Sequence, residues 1–187
     1  MLKAQLSDKN VIIDILVESF IDNKSVNYII PQDAKRIKRI KNLMSYSFEL
    51  CYRFGEVLFS DDKRAVALII YPDKKTTSFK TIWLDIKFIM SAIGIFNIRK
   101  AIKRETAINQ VHPKQSLAYL WFIGVRLQNQ AKGTGTQLLN EIITHTNRKT
   151  ICLETSTLRN LPWYRKFGFI VYKELNFGYT LYCLKRE

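Results

Sequence analysis

Glycine and proline are scarce in this 187-residue chain, at seven and four residues. That leaves too little of either for a long linker or a low-complexity tail, so the chain reads as one domain, residues 1–187, with a sizeable core. Cysteine is scarcer still. Cys51, Cys152 and Cys183 are odd in number, far apart and set among apolar residues, which excludes a disulfide framework and suits buried thiols in a reducing compartment. The two histidines, His112 and His145, stand before a proline on a loop and near a helix end. They form no Ser/His/Asp arrangement, and no metal site is expected.

Acidic residues are also short, 16 against 30 basic, for a net charge of +14. Such a surface attracts anions, whether nucleic acid, acidic membrane or a polyanionic small molecule, although a lysine-rich composition alone gives the same number. No RNA-binding motif or aromatic platform accompanies the charge, so a nucleic-acid partner is not expected. The opening MLKAQLSDKN lacks the apolar core and cleavage site of a secretory signal, and the expected location is the cytoplasm. A long uncharged hydrophobic run is missing too. The most apolar stretch, residues 81–98, contains Asp85 and Lys87 and is interrupted by Gly94; a packed helix is expected there, with no membrane partner.

Apolar periodicity sets out the elements that are present. Residues 11–20 place Ile12, Ile13, Leu16, Val17 and Phe20 on one helical side, and a second helix opens at Asp33, with a stripe through Ile37, Ile40, Met44, Ser47 and Cys51, until Gly55 stops it. Residues 56–60 and 65–71 read as a hairpin. A helical insertion, residues 78–113, follows, broken near Gly94; its Trp83, Phe88 and Phe96 either wall a cavity or fill the core. Residues 116–127 are apolar on both alternating faces, with Leu117, Tyr119, Trp121, Ile123 and Val125 on one and Leu120 and Phe122 on the other. Such a strand is buried on both sides and therefore central. A helix follows, then a strand at residues 150–155, which the right-handed crossover makes parallel to the central one. A short helix capped by Asn160 and a closing hairpin around Asn176 to Gly178 complete the chain.

Between the central strand and its helix lies Gln130-Ala131-Lys132-Gly133-Thr134-Gly135-Thr136. The first N–H groups of a helix lack intrahelical partners and sit at the positive end of its dipole, and glycine lets the backbone close on an anion. Lys132 adds charge; Thr134 and Thr136 add hydroxyls. The spacing fits neither a Walker A loop nor a dinucleotide fingerprint. Gln130-x-x-Gly133-x-Gly135 at a strand-to-helix junction, followed by Asn160, Tyr164 four residues later and Gly168-Phe169, resembles the GNAT N-acetyltransferases, in wording closest to their puromycin N-acetyltransferase-like members.

The resemblance covers about residues 117–184 and carries definite expectations. The fold is α/β, a GNAT-type acyl-CoA N-acyltransferase with a central mixed, mostly antiparallel sheet flanked by helices. Acetyl-CoA is the acyl donor. Backbone groups of Ile123 and Val125 line its pantetheine arm, N–H groups from Gln130 through Thr136 hold its pyrophosphate, Asn160 contacts it, and Tyr164 protonates the departing thiolate. An amine with a pKa near 10.4 must also lose a proton before attack. Glu154 is the nearest acidic candidate for that base, and it reads equally well as a glutamate that organises hydrogen bonds between splayed strands. The expected reaction is direct transfer to the primary amine of a small molecule, with the insertion shaping the acceptor pocket. A protein or aminoacyl-tRNA acceptor and a non-catalytic acyl-CoA-binding module are the alternatives. The closing hairpin leaves a sheet edge on which a homodimer could form.

Overall fold

The computed structural model describes residues 1–114, 116–146 and 150–187. Its centre is a seven-stranded sheet in the order β1-β2-β3-β4-β5-β7-β6. The strands are β1 (Leu2–Lys3), β2 (Gly55–Phe59), β3 (Ala65–Ile70), β4 (Leu117–Val125), β5 (Thr150–Thr155), β6 (Ile170–Asn176) and β7 (Thr180–Arg186). Every neighbouring pair is antiparallel except β4 and β5, which run parallel as the crossover rule requires. The short β1 and a helix at Lys24–Ile29 are additions to the sequence reading. That helix starts where the Asn23 side chain accepts from the N–H groups of Ser25 and Val26.

Among the described residues seven α-helices cover the two faces: α1 (Lys9–Phe20), α2 (Lys24–Ile29), α3 (Arg36–Phe54), α4 (Phe79–Phe88), α5 (Ile98–Val111), α6 (Thr134–His145) and α7 (Leu161–Lys166). Under one face Ile12, Ile15 and Leu16 of α1 meet Ile40, Met44 and Phe48 of α3 and Val66, Leu68 and Phe122 of the sheet. Against the other, Leu138, Leu139 and Ile142 of α6 and Leu161 and Tyr164 of α7 pack on Ala67, Ile69, Leu120 and Leu153. All of β3 is buried, since both faces are covered. The predicted α3 stripe is buried from Ile40 onward, whereas Ile37 is exposed at the helix start.

Strict alternation fails in β4. Leu68 stands opposite Phe122 and Ile69 opposite Leu120, so Trp121 is an extra residue without a partner on β3. This bulge puts Tyr119, Trp121 and Phe122 on the α1–α3 face and moves Ile123 and Val125 to the α6–α7 face, correcting the two-face assignment above. One added residue inverts the side on which everything beyond it points.

The junction between α3 and β2 depends on Gly55. A Cβ there would lie 2.0 Å from the Ile69 carbonyl oxygen, so backbone rather than a movable side chain blocks any larger residue. Gly55→Ala is expected to cost about 2 kcal/mol through overpacking, measured as a lower urea midpoint at unchanged slope. An unchanged midpoint would show that this close approach is not held in solution.

Candidate active site

The parallel contact between β4 and β5 lasts only from Leu117↔Thr150 to Tyr119↔Cys152. Beyond it β5 stays paired to β7 through Thr155, while β4 continues to Val125 with β3 on one side only. The sheet therefore opens along the second half of β4. Because the Arg126 N–H donates to the Arg64 carbonyl, the bonded positions of the β3–β4 ladder are those of Arg126 and Gly124. Val125 and Ile123 fall between them, so their N–H and C=O groups point to the open side. The Val125 carbonyl accepts from Ser19 Oγ at 3.0 Å and from Gln130 Nε2 at 3.2 Å. No backbone partner for Ile123 exists on that side among the described residues.

At the end of β4 the chain enters the glycine loop. Ala131, at φ +59°, and Gly133, at φ +87°, are both left-handed. For Ala131 that conformation carries strain of about 1 kcal/mol or more, which persists only where the surroundings fix it. Gly133 is the N-cap of α6 and has nothing within 4 Å of where a Cβ would stand. The N–H groups of Thr134, Gly135 and Thr136 are the unpaired first turn of the helix. Lys132 makes no ion pair among the described residues. These groups fit a pyrophosphate: free donors at a positive helix end, open space above Gly133, and a mobile cation.

The short helix α7 supplies the other limb. Asn160 occupies its N-cap position but makes no side-chain capping bond, so the capping role expected for it is not taken up and its amide remains available. Trp163 Nε1–H donates to Thr136 Oγ1 at 3.0 Å, tying α7 to the start of α6. Tyr164 is buried against Trp163 and Phe169 in the α6–α7 layer. Burial pushes its phenol well above the ordinary value.

On the opposite face lies a cavity of about 690 Å³, walled by Tyr46, Phe88, Tyr119, Trp121 and Phe122 and by α4 and α5 of the insertion. Glu154 reaches its inner end from β5, two residues past the last β4–β5 pair. Its side chain is only 3% exposed. It accepts from His112 Nε2 at 2.7 Å and from the Tyr119 hydroxyl at 2.5 Å. Burial, and then the Glu154 charge, hold the Tyr119 phenol well above its usual pKa, so it stays a donor. Arg104 lines the same cavity with its Nε–H on Ser25 Oγ at 2.9 Å. Tyr46 donates to Asp85 Oδ1 at 2.6 Å while stacked on Phe88.

The structure thus groups Gln130 to Thr136 around one helix end and Ile123 and Val125 on the open strand edge. Glu154 and Tyr164 fall on opposite faces of the sheet beside the gap. The sequence reading placed His112 on a loop before Pro113 without linking it to Glu154, and it gave Tyr119 no role. His112 joins Glu154 only because α5 ends there, and Tyr119 carried no signal beyond its strand position.

No protein-family model matches the chain. Among solved structures it is similar to a histone acetyltransferase HPA2 and related acetyltransferase from Corynebacterium glutamicum, with a TM-score of 0.71 at 19% identity over 99% of this chain and 93% of that one. Arylalkylamine N-acetyltransferase 2 from Aedes aegypti gives 0.66 at 14% identity, covering 99% and 96%. An N-acetyltransferase from Staphylococcus aureus gives 0.55 at 15% identity, covering 98% and 97%. The fold is that of the GNAT acetyltransferases.

No cysteine is placed for acyl transfer. Burial, and then the Glu154 charge, push the Cys152 and Cys183 thiols up to about 12, and burial holds Cys51 well above its usual value. An aromatic disulfide reagent at pH 8 is expected to label none of the three in the native protein and all of them after unfolding. Rapid native labelling of any one would contradict the burial described.

Proposed function

We propose that the chain is an acetyl-CoA-dependent N-acetyltransferase acting on the primary amine of a small aromatic molecule. The observation that carries this reading is the position of Glu154, a buried carboxylate where an aromatic-walled cavity meets the gap beside β4. The loop from Gln130 to Thr136 holds the pyrophosphate, Ile123 and Val125 bond the pantetheine arm as a missing strand would, and Asn160 contacts the coenzyme from α7. Acetyl-CoA supplies an activated thioester.

An arylalkylamine suits the acceptor side. Tyr46, Phe88 and Trp121 offer ring faces, and Asp85, Glu105 and Glu154 attract an ammonium group on entry. The ammonium proton then passes to His112 Nδ1, and the Glu154 carboxylate bonded to Nε2–H balances the imidazolium charge. Bonding His112 Nε2–H to the carboxylate fixes that tautomer and leaves Nδ1 with its lone pair. Tyr119 holds the carboxylate in place from its other oxygen.

Tyr164 donates the proton that the departing thiolate needs. Its raised pKa makes it a weaker acid than a free phenol, but a thiolate leaving into the same dry site is raised as well, which narrows the gap between the two. A folded pKa above the usual 10 keeps the proton on Tyr164 throughout neutral and mildly alkaline pH.

Thiol release with a panel of arylalkylamines, simple alkylamines and short peptides tests the reading. Turnover should be highest with the arylalkylamines. Tyr164→Phe should lower kcat about 100-fold, with acetyl-CoA affinity within about twofold of wild type. Glu154→Gln should slow the reaction most at low pH, where more of the amine is protonated. Wild-type kcat should show no fall between pH 8 and 10 from Tyr164 ionisation. Equal turnover by Tyr164→Phe would remove it from the mechanism, and turnover confined to peptides would move the acceptor to protein.

A further inference from the structure

The insertion does not pack as its sequence suggests. Its inner side lines the cavity through Asp85, Phe88, Ile93, Ile98 and Ala101, but its outer side is apolar and uncovered. Phe79 is 93% exposed, Trp83 66%, Met90 64%, Ile95 69% and Phe96 98%. Phe79, Trp83, Ile86 and Met90 follow one another at helical spacing, forming a single stripe that ends at the corner carrying Ile95 and Phe96. Aromatic and aliphatic groups in such a run mark a contact surface rather than scattered exposure.

Charge identifies the partner. Residues 78–113 contain six basic side chains and two acidic ones, Asp85 and Glu105; both acidic residues line the cavity, and Asp85 is engaged by the Tyr46 hydroxyl. Lys80, Lys87, Arg99 and Lys103 are exposed and have no acidic partner among the described residues. The insertion's net charge of +4 is thus interleaved with the chain's most exposed apolar groups. No single helix here is long and apolar enough to cross a membrane, and the two halves of the insertion are bent by 101° at Gly94.

We infer that the α4–α5 insertion docks on an anionic membrane surface, with Phe79, Trp83, Met90 and Phe96 entering the headgroup layer and the lysines facing lipid phosphates. Interfacial helices combine these two features, and each basic residue near an anionic bilayer strengthens binding by about fivefold. A second copy fits the face poorly, because a two-fold contact would set the same basic residues against each other. Nucleic acid fits less well: Phe79, Trp83 and Phe96 are exposed rings, but the aliphatic Ile82, Ile86, Met90 and Ile95 set among them offer no stacking face and suit a lipid interface. The docking face adjoins the cavity rim through Ile102 and Lys75, which are exposed and also line the cavity. Docking of this kind stands independently of the proposed catalysis.

The test is flotation of the full chain with vesicles of phosphatidylcholine alone and of phosphatidylcholine mixed with phosphatidylglycerol. Wild type should float with the mixed vesicles only, and added salt should release it. The double variants Trp83→Ser/Phe96→Ser and Lys80→Glu/Lys87→Glu should each lower the partition coefficient about tenfold or more, with wild-type circular dichroism and urea midpoints. Three results would overturn the inference: no flotation of folded wild type, equal flotation with neutral vesicles, or a solution dimer that Trp83→Ser/Phe96→Ser abolishes.

Discussion

Three residue pairs of parallel contact between β4 and β5 set the architecture of this protein. Fewer would leave the two halves of the sheet unjoined, and more would close the edge on which Ile123 and Val125 present their backbone groups. The bulge at Trp121 acts on the same strand. It turns two consecutive aromatic side chains toward the cavity and the remainder of β4 toward α6. The gap, the cavity wall and the approach to the glycine loop all follow from how this strand is paired.

The same strand separates two environments. On the α6–α7 side the phenol of Tyr164 is desolvated among apolar neighbours, and on the α1–α3 side the carboxylate of Glu154 is buried but bonded at both oxygens. A charged group excluded from water needs such partners, and His112 and Tyr119 provide them. In the proposed reaction these two environments serve as proton donor and proton acceptor, flanking the gap from either side.

Much of this was legible in the sequence because it rests on local chemistry. The glycine loop, the break at Gly94, the parallel return of β5 and the hairpins depend on spacing, turn residues and crossover handedness, and each appears where those rules place it. Features set by tertiary contact were not legible. The β4 bulge adds a residue without any local mark, so the alternation read beyond Trp121 was inverted. Asn160 stands where a cap belongs, yet its side chain makes no capping bond. His112 meets Glu154 across 42 residues of sequence, which no motif links. The outer face of the insertion reads as core because exposure, unlike periodicity, depends on what the rest of the chain fails to cover.

The central claim, that the open edge of β4 and the start of α6 form a coenzyme A site, is tested most directly by calorimetric titration of wild type and Gly135→Glu with acetyl-CoA. A Cβ at Gly135 would lie 3.1 Å from Val125 Cγ2, and the added carboxylate would stand at the helix end proposed to hold the pyrophosphate. Saturable one-to-one binding by wild type that the folded variant loses is the expected result. Absence of binding by folded wild type, or undiminished binding by the variant, would contradict the account.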